Sequence, residues 1–166
     1  MITSPYKQPG ILPPATHPRL MLTEKDLPRI RENLHGGRFP DAARLFFALC
    51  ATEIRCVGAT PEAGTYHMKE YMALEAKALD ALLTDDAAKG RGVIDTLLFL
   101  LRHSDFAATY MRARYSGHLI FVAAEVYDWC NKWLNGAEKE EIIARCEAFA
   151  AANFEKIGRA SCRERV

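Results

Sequence analysis

The sequence has little that points to a metal, a membrane or a nucleic acid. Its five cysteines, Cys50, Cys56, Cys130, Cys146 and Cys162, are odd in number and widely spaced. They form no CxxC pair and stand beside no histidine at zinc-ligand spacing, which argues against a structural metal and leaves buried free thiols as the expectation. Neither sign of charge dominates: 22 Lys and Arg face 21 Asp and Glu, so no overall field draws in a polyanion such as nucleic acid. The stretches "TLLFLL" and "LIFVAA" are too short to span a bilayer, and "MITSPYKQPGILPP" carries no apolar run of signal-peptide length. As written, the chain is expected in the cytoplasm. No segment has the alternation, β-branched density and Asn-Gly punctuation of paired strands, and no motif asks for a cofactor.

What is present is a 49% hydrophobic, 26% charged composition over 166 residues, enough for one globular core. Residues 1–22 hold five of the eight prolines and no helical periodicity, and are expected to form an extended arm over the surface of the helical part. In "TEKD", Thr23 and Asp26 have the spacing of a helix cap and its return partner. A first helix comes next, through Leu27, Ile30, Arg31 and Leu34, stopped by "HGG" at His35–Gly37. A second is expected from Pro40 to about Arg55 with Leu45, Phe46, Leu49 and Cys50 inward. "GATPEAG" breaks it at Gly58–Gly64.

A third helix is expected over about Thr65 to Leu83, with Met68, Met72, Leu74, Ala78, Leu79 and Leu82 inward. A cap in "TDD" starts a fourth, Asp86 to His103, through Val93, Ile94, Leu97, Leu98 and Leu101. The fifth, from about Arg112 to Leu134, is apolar around most of its circumference and so should be buried on more than one side. Asn135-Gly136 ends it. A sixth, amphipathic helix turns Ile142, Ile143, Cys146, Phe149 and Ala150 inward. The fold class is all-α, built of antiparallel helix hairpins in residues 23–156.

The tail "IGRASCRERV", residues 157–166, carries Arg159, Arg163 and Arg165 against Glu164 and has two readings. One is a short basic nucleic-acid or phosphate-binding peptide. The other is read-through of a sequencing adapter, whose translation matches at all ten positions. The second reading is the better one, so residues 157–166 are expected to be adapter-derived and not native, with the natural part stopping near Lys156 and the chain the N-terminal piece of a longer protein.

Three segments carry a family resemblance: "THPRLMLTEKDLPRIRENL" (Thr16–Leu34), "EYMALEAKALDALLTDDAAKGRGVIDTLL" (Glu70–Leu98) and "RYSGHLIFVAAEVYDWCNKWLNGAEKEEII" (Arg114–Ile143). In order and spacing they resemble the heparinase II/III-like polysaccharide lyases, in the N-terminal toroid part. The specific elements are "HPRL" and "VYDWC" (Val126–Cys130) followed by a helix beginning "AEKE". The resemblance implies an incomplete (α/α) toroid, an acidic-polysaccharide substrate and β-elimination. That reaction takes the proton at C5 of a uronate and expels the C4 oxygen, and it needs a base, an acid and a group that neutralises the carboxylate. The family's catalytic Tyr and His lie in segments beyond those matched, so no catalytic residue is assigned here and the chain alone is expected to be inactive. Members of the family are commonly periplasmic or secreted.

One substrate-binding position is implied, Arg114, where the family places a cleft arginine, with Tyr115 and His118 on the same rim. A guanidinium suits a uronate or sulfate because its planar donor fork matches two oxygens. Arg112 could substitute, and the alternative for Arg114 is a surface arginine bound to solvent or to Glu70. Tyr127, Trp129 and Trp133 read first as core aromatics and second as rings for sugar faces. Asp128 is expected to satisfy a neighbouring polar group or loop, and Arg19 to meet an acid or a helix C-terminus. His17 is considered as a base and set below a role in the arm; His67 and His103 read as ordinary loop or surface histidines. The other functions to separate are an alginate-type lyase, an (α/α) glycoside hydrolase, which needs two facing carboxylates about 5–9.5 Å apart, and a non-catalytic helical carbohydrate-binding or scaffold domain.

Overall fold

A computed structural model describes residues 14–55, 68–105 and 112–163, with side chains left undescribed at 112–113 and 153–163. His67, Cys56 and the Gly58–Gly64 break fall outside the described residues, as do residues 1–13 of the arm and the side chains of Arg112 and Cys162. Among the described residues the chain is all-helical: α1 (Leu27–His35), α2 (Pro40–Cys50), α3 (Met68–Thr84), α4 (Ala87–His103), α5 (Arg112–Trp129) and α6 (Gly136–Arg163). A 3-10 turn, Glu24–Asp26, leads into α1 and another, Asn131–Trp133, comes after α5.

The caps are where residue chemistry places them. Thr23 donates its backbone N–H and its hydroxyl to Oδ2 of Asp26, each at 2.9 Å, so the short Asp does the work of the usual Glu across the 3-10 turn. Gly37 takes φ of +71° just past α1, a left-handed position that costs glycine nothing. Asp86 caps α4 by accepting from the N–H groups of Ala88 and Lys89 at 2.9 and 3.0 Å. Immediately before it Asp85 sits at φ +55°, while the Asp86 N–H reaches back to the Ala81 carbonyl, closing α3 with a left-handed residue.

The core gathers around α3, whose main contacts are with α2, α4 and α5. Its centre is Leu74, Ala78, Ile94, Leu97, Leu101, Leu119, Val122 and Val126, all fully buried. Each large aliphatic among these contributes roughly 1.5–3 kcal/mol by leaving water. α4 buries all five of the residues expected of it. α3 is covered more completely than its expected stripe: Ala73, Ala76 and Ala81 are buried too, because small side chains let neighbouring backbones approach from a second side. Met68, expected inward, is half exposed at the helix start.

Three other expectations are corrected. α2 ends at Cys50 rather than near Arg55, and its buried residue is Ala43, while Leu45 is 55% exposed. α5 stops at Trp129, where a 3-10 turn replaces its last expected turn. On α6, Ile142 is buried but Ile143 and Ala150 face outward, since only one narrow edge of that helix meets α4 and α5. The backbone of α6 runs on to Arg163, past the Lys156 boundary drawn from the sequence.

Candidate functional site

Asp128 stands near the end of α5 with 1% of its surface exposed. A carboxylate so placed must be bonded on both oxygens, and it is. Nδ1 of His17 donates to Oδ1 at 2.5 Å, and the backbone N–H groups of Arg19 and Leu20 donate to Oδ2 at 2.8 and 2.7 Å. Trp129 adds an indole N–H to the Leu20 carbonyl at 3.5 Å. The "HPRL" arm is therefore fastened to the "VYDWC" end of α5 chiefly by the Asp128 carboxylate, with Trp129 beside it. Arg19 uses its own guanidinium on the Pro14 carbonyl, 3.3 Å away, rather than on an acid or a helix end. His17 meets the edge of Tyr127 at a centroid distance of 6.0 Å. The His17–Pro18 peptide is cis.

A second polar group lies where α3 and α5 touch. Nε2 of His118 is 2.9 Å from Oε1 of Glu75, and the His118 ring stands edge-on to Tyr71 at 5.4 Å. Two turns further along α5, Glu125 is 95% buried, and its Oε2 has no hydrogen-bond partner among the described residues. Burial, and second the charge of Glu75, push its carboxyl up to about 7. A protonated carboxyl is the form such a site tolerates.

No protein-family model, curated protein or solved structure matches the chain.

Of the residues expected to bind substrate, Arg114 is exposed on the first turn of α5, while Tyr115 and His118 are half-buried. Tyr115 packs against the core. Arg114 and His118 are four apart, hence on one face of the helix. The ion pair considered for Arg114 goes elsewhere: Glu70, buried at the start of α3, is met by Arg55 at 3.5 Å. The aromatics behave as core groups. Trp129 is 7% exposed, Tyr127 and Trp133 pack partly buried against the core, and the Trp133 ring lies directly over Gly90.

Cys130 and Cys146 are free, and burial pushes their thiols up to about 12 and about 11. Groups that high stay protonated and unreactive at neutral pH. No group of three or more His, Cys, Asp or Glu among the described residues could hold a metal ion, and no described helix is long and apolar enough to cross a membrane.

Glu75 and Glu125 carry no role in the sequence reading, and His17 is read there only as an arm residue or a base, without its partner Asp128. The signal available was an acid inside an otherwise apolar helical run, "VAAEVYDW", because a carboxylate retained in a core position must have a partner or a task.

Proposed function

We propose that the chain is the N-terminal part of a lyase that cleaves uronic-acid-containing polysaccharide, of heparin or heparan sulfate type, by β-elimination. It forms an incomplete (α/α) toroid of antiparallel helix hairpins. The observation that carries this reading is the fastening of His17, Arg19 and Leu20 to Asp128, because it makes one physical unit of the two blocks with the most specific resemblance. The direction of the helices supports it as well. Cys50 against Ala76 and Arg55 against Glu70 set the α2 end of the chain opposite in direction to α3. Glu75 against His118 and Asp85 against Lys132 set α3 and α5 side by side in one direction, as alternate helices of successive hairpins would be.

On this reading Arg114 meets a uronate or sulfate and His118, held by Glu75, stands four residues along the same face. The base and acid for C5 and O4 come from segments beyond this region. The test is calorimetric titration of the chain with a heparan sulfate oligosaccharide, with ultraviolet absorbance followed in parallel. Saturable binding weakened at least tenfold by Arg114→Gln, without the absorbance of an unsaturated uronate, is expected. Wild-type affinity in Arg114→Gln would remove Arg114 from the site, and no binding at all would sink the reading.

Glu75 and Glu125 favour one competitor, an (α/α) glycoside hydrolase, since two neighbouring carboxyls with one pushed up to about 7 are the requirement of acid-assisted hydrolysis. Glu125 is only 5% exposed, out of reach of a polymer, and this supports the lyase reading over the hydrolase. Release of reducing ends without ultraviolet absorbance would reverse that order.

A further inference from the structure

At the far end of α5 from Arg114, roughly 20 Å along the helix at 1.5 Å per residue, a cleft of about 520 Å³ opens between the arm, α1 and the 3-10 turn after α5. Its lining includes His17, Glu24, Arg31, Asp128 and Lys132, over an apolar floor that includes Leu27 and Leu82. Several of these charges are already committed. Asp128 is saturated by the arm, and Lys132 is paired with Asp85.

Two groups are not. An ionised carboxylate only accepts, so His17 gives its Nδ1 proton to Asp128, and Nε2 is the ring nitrogen left to meet a ligand. The buried carboxylate fixes the plane and direction of that ring. Arg31 spends Nε on the Leu83 carbonyl at 2.7 Å, which holds the guanidinium at the cleft, and its two terminal nitrogens have no other partner among the described residues. A planar pair of N–H donors fits a carboxylate. The remaining imidazole nitrogen and the Glu24 carboxylate fit hydroxyls, and the apolar floor fits the C–H face of a ring.

We propose that this cleft is a second binding site, taking a small acidic sugar of the uronate class, with the ligand carboxylate on Arg31 and a ring hydroxyl on Nε2 of His17. It needs neither Arg114 nor the elimination reaction, so it goes beyond the function proposed above.

The experiment uses the 166-residue chain and D-glucuronate as probe, with D-glucose as the neutral control, followed by NMR of the histidine ring signals and by calorimetry. His17 is assigned by comparison with His17→Gln. Expected are a saturable shift of the His17 ring signals with glucuronate, binding at least tenfold weaker in Arg31→Gln, and unchanged binding in Arg114→Gln. Arg31→Gln leaves the Asp128 fastening intact, so its far-ultraviolet circular dichroism should match wild type and a loss of affinity reports the site. An unmoved His17 signal at saturation, wild-type affinity in Arg31→Gln, or equal affinity for glucose would each overturn the proposal. Glucuronate binding lost only in Arg114→Gln would also overturn it while leaving the lyase reading in place, and absence of binding to glucuronate by wild type overturns the cleft whatever longer oligosaccharides do at Arg114.

Discussion

Nδ1 of His17 donates to Oδ1 of Asp128 at 2.5 Å, joining residues 111 apart in the chain. Two further N–H donors from Arg19 and Leu20 complete the coordination of that carboxylate. The arm thus depends mainly on one buried acid for its position, and Asp128 depends on the arm for its solvation.

Asp128→Asn should destabilise the fold by about 2–4 kcal/mol, because an amide offers one oxygen to three donors and points N–H at another. The urea midpoint should fall, and residues 14–22 should become the first site of protease cleavage. An unchanged midpoint with a protected arm would show that the fastening is incidental.

Gly90→Ala tests the seat of Trp133. In an exposed helix interior this change gains about 1 kcal/mol from propensity, but here an added Cβ would come within 2.2–2.6 Å of the Trp133 ring. Overpacking costs about 1–3 kcal/mol, so the net effect should be a loss, accompanied by altered tryptophan fluorescence. A more stable variant would mean that the ring swings aside at no cost.

Glu125 gives stability a pH dependence of definite sign. Its carboxyl is raised from an ordinary 4.5 to about 7 in the folded state, so the folded chain holds this proton more tightly than the unfolded one. Its favourable state is fully present below pH 4.5 and is lost as pH rises through 7, a change of at most about 3 kcal/mol. Urea midpoints should therefore fall between about pH 5 and pH 8.5, and Glu125→Gln should flatten that slope. Glu138 and Glu141, held down by Arg91 and Arg102, act in the opposite sense and only at more acid pH. An equal slope in wild type and Glu125→Gln would refute the assignment.

Asp85 and Asp86, adjacent in "TDD", should respond differently to substitution. Asp86→Ala removes the cap of α4 and should cost about 1 kcal/mol in a denaturant melt. Asp85→Gly relieves a left-handed φ of +55° at about 1 kcal/mol and gives up an exposed ion pair with Lys132 worth about 0–1 kcal/mol, so it should be neutral or mildly stabilising. Asp85→Ala keeps the strain and loses the pair, and should rank below both wild type and Asp85→Gly.

Much of the helical framework is legible in the residues, and the reason is local. The Asp86 cap, the Gly37 stop and the apolar spacing of Val93, Ile94, Leu97, Leu98 and Leu101 each act within a turn or two of themselves. The errors fall where a neighbouring helix decides. Leu45 and Ile143 have suitable spacing for burial, yet no described element lies over them, while Ala73 and Ala81 are buried because others do lie over them. The candidate sites show the same division. Arg114, Tyr115 and His118 are within a turn of each other and readable as a group, whereas Glu75 meets His118 from 43 residues away.

The order of residues alone points to helices, the caps and stops of the described ones, and an extended proline-rich arm before them, because proline geometry, capping and 3.6-residue periodicity are short-range effects. It took the packed helices to assign the arm to Asp128, to enclose Glu125 with an oxygen that has no hydrogen-bond partner among the described residues, and to settle which faces are covered. Those outcomes depend on which surfaces meet, and hydrogen-bond pairing across a hundred residues leaves no periodic trace in the chain.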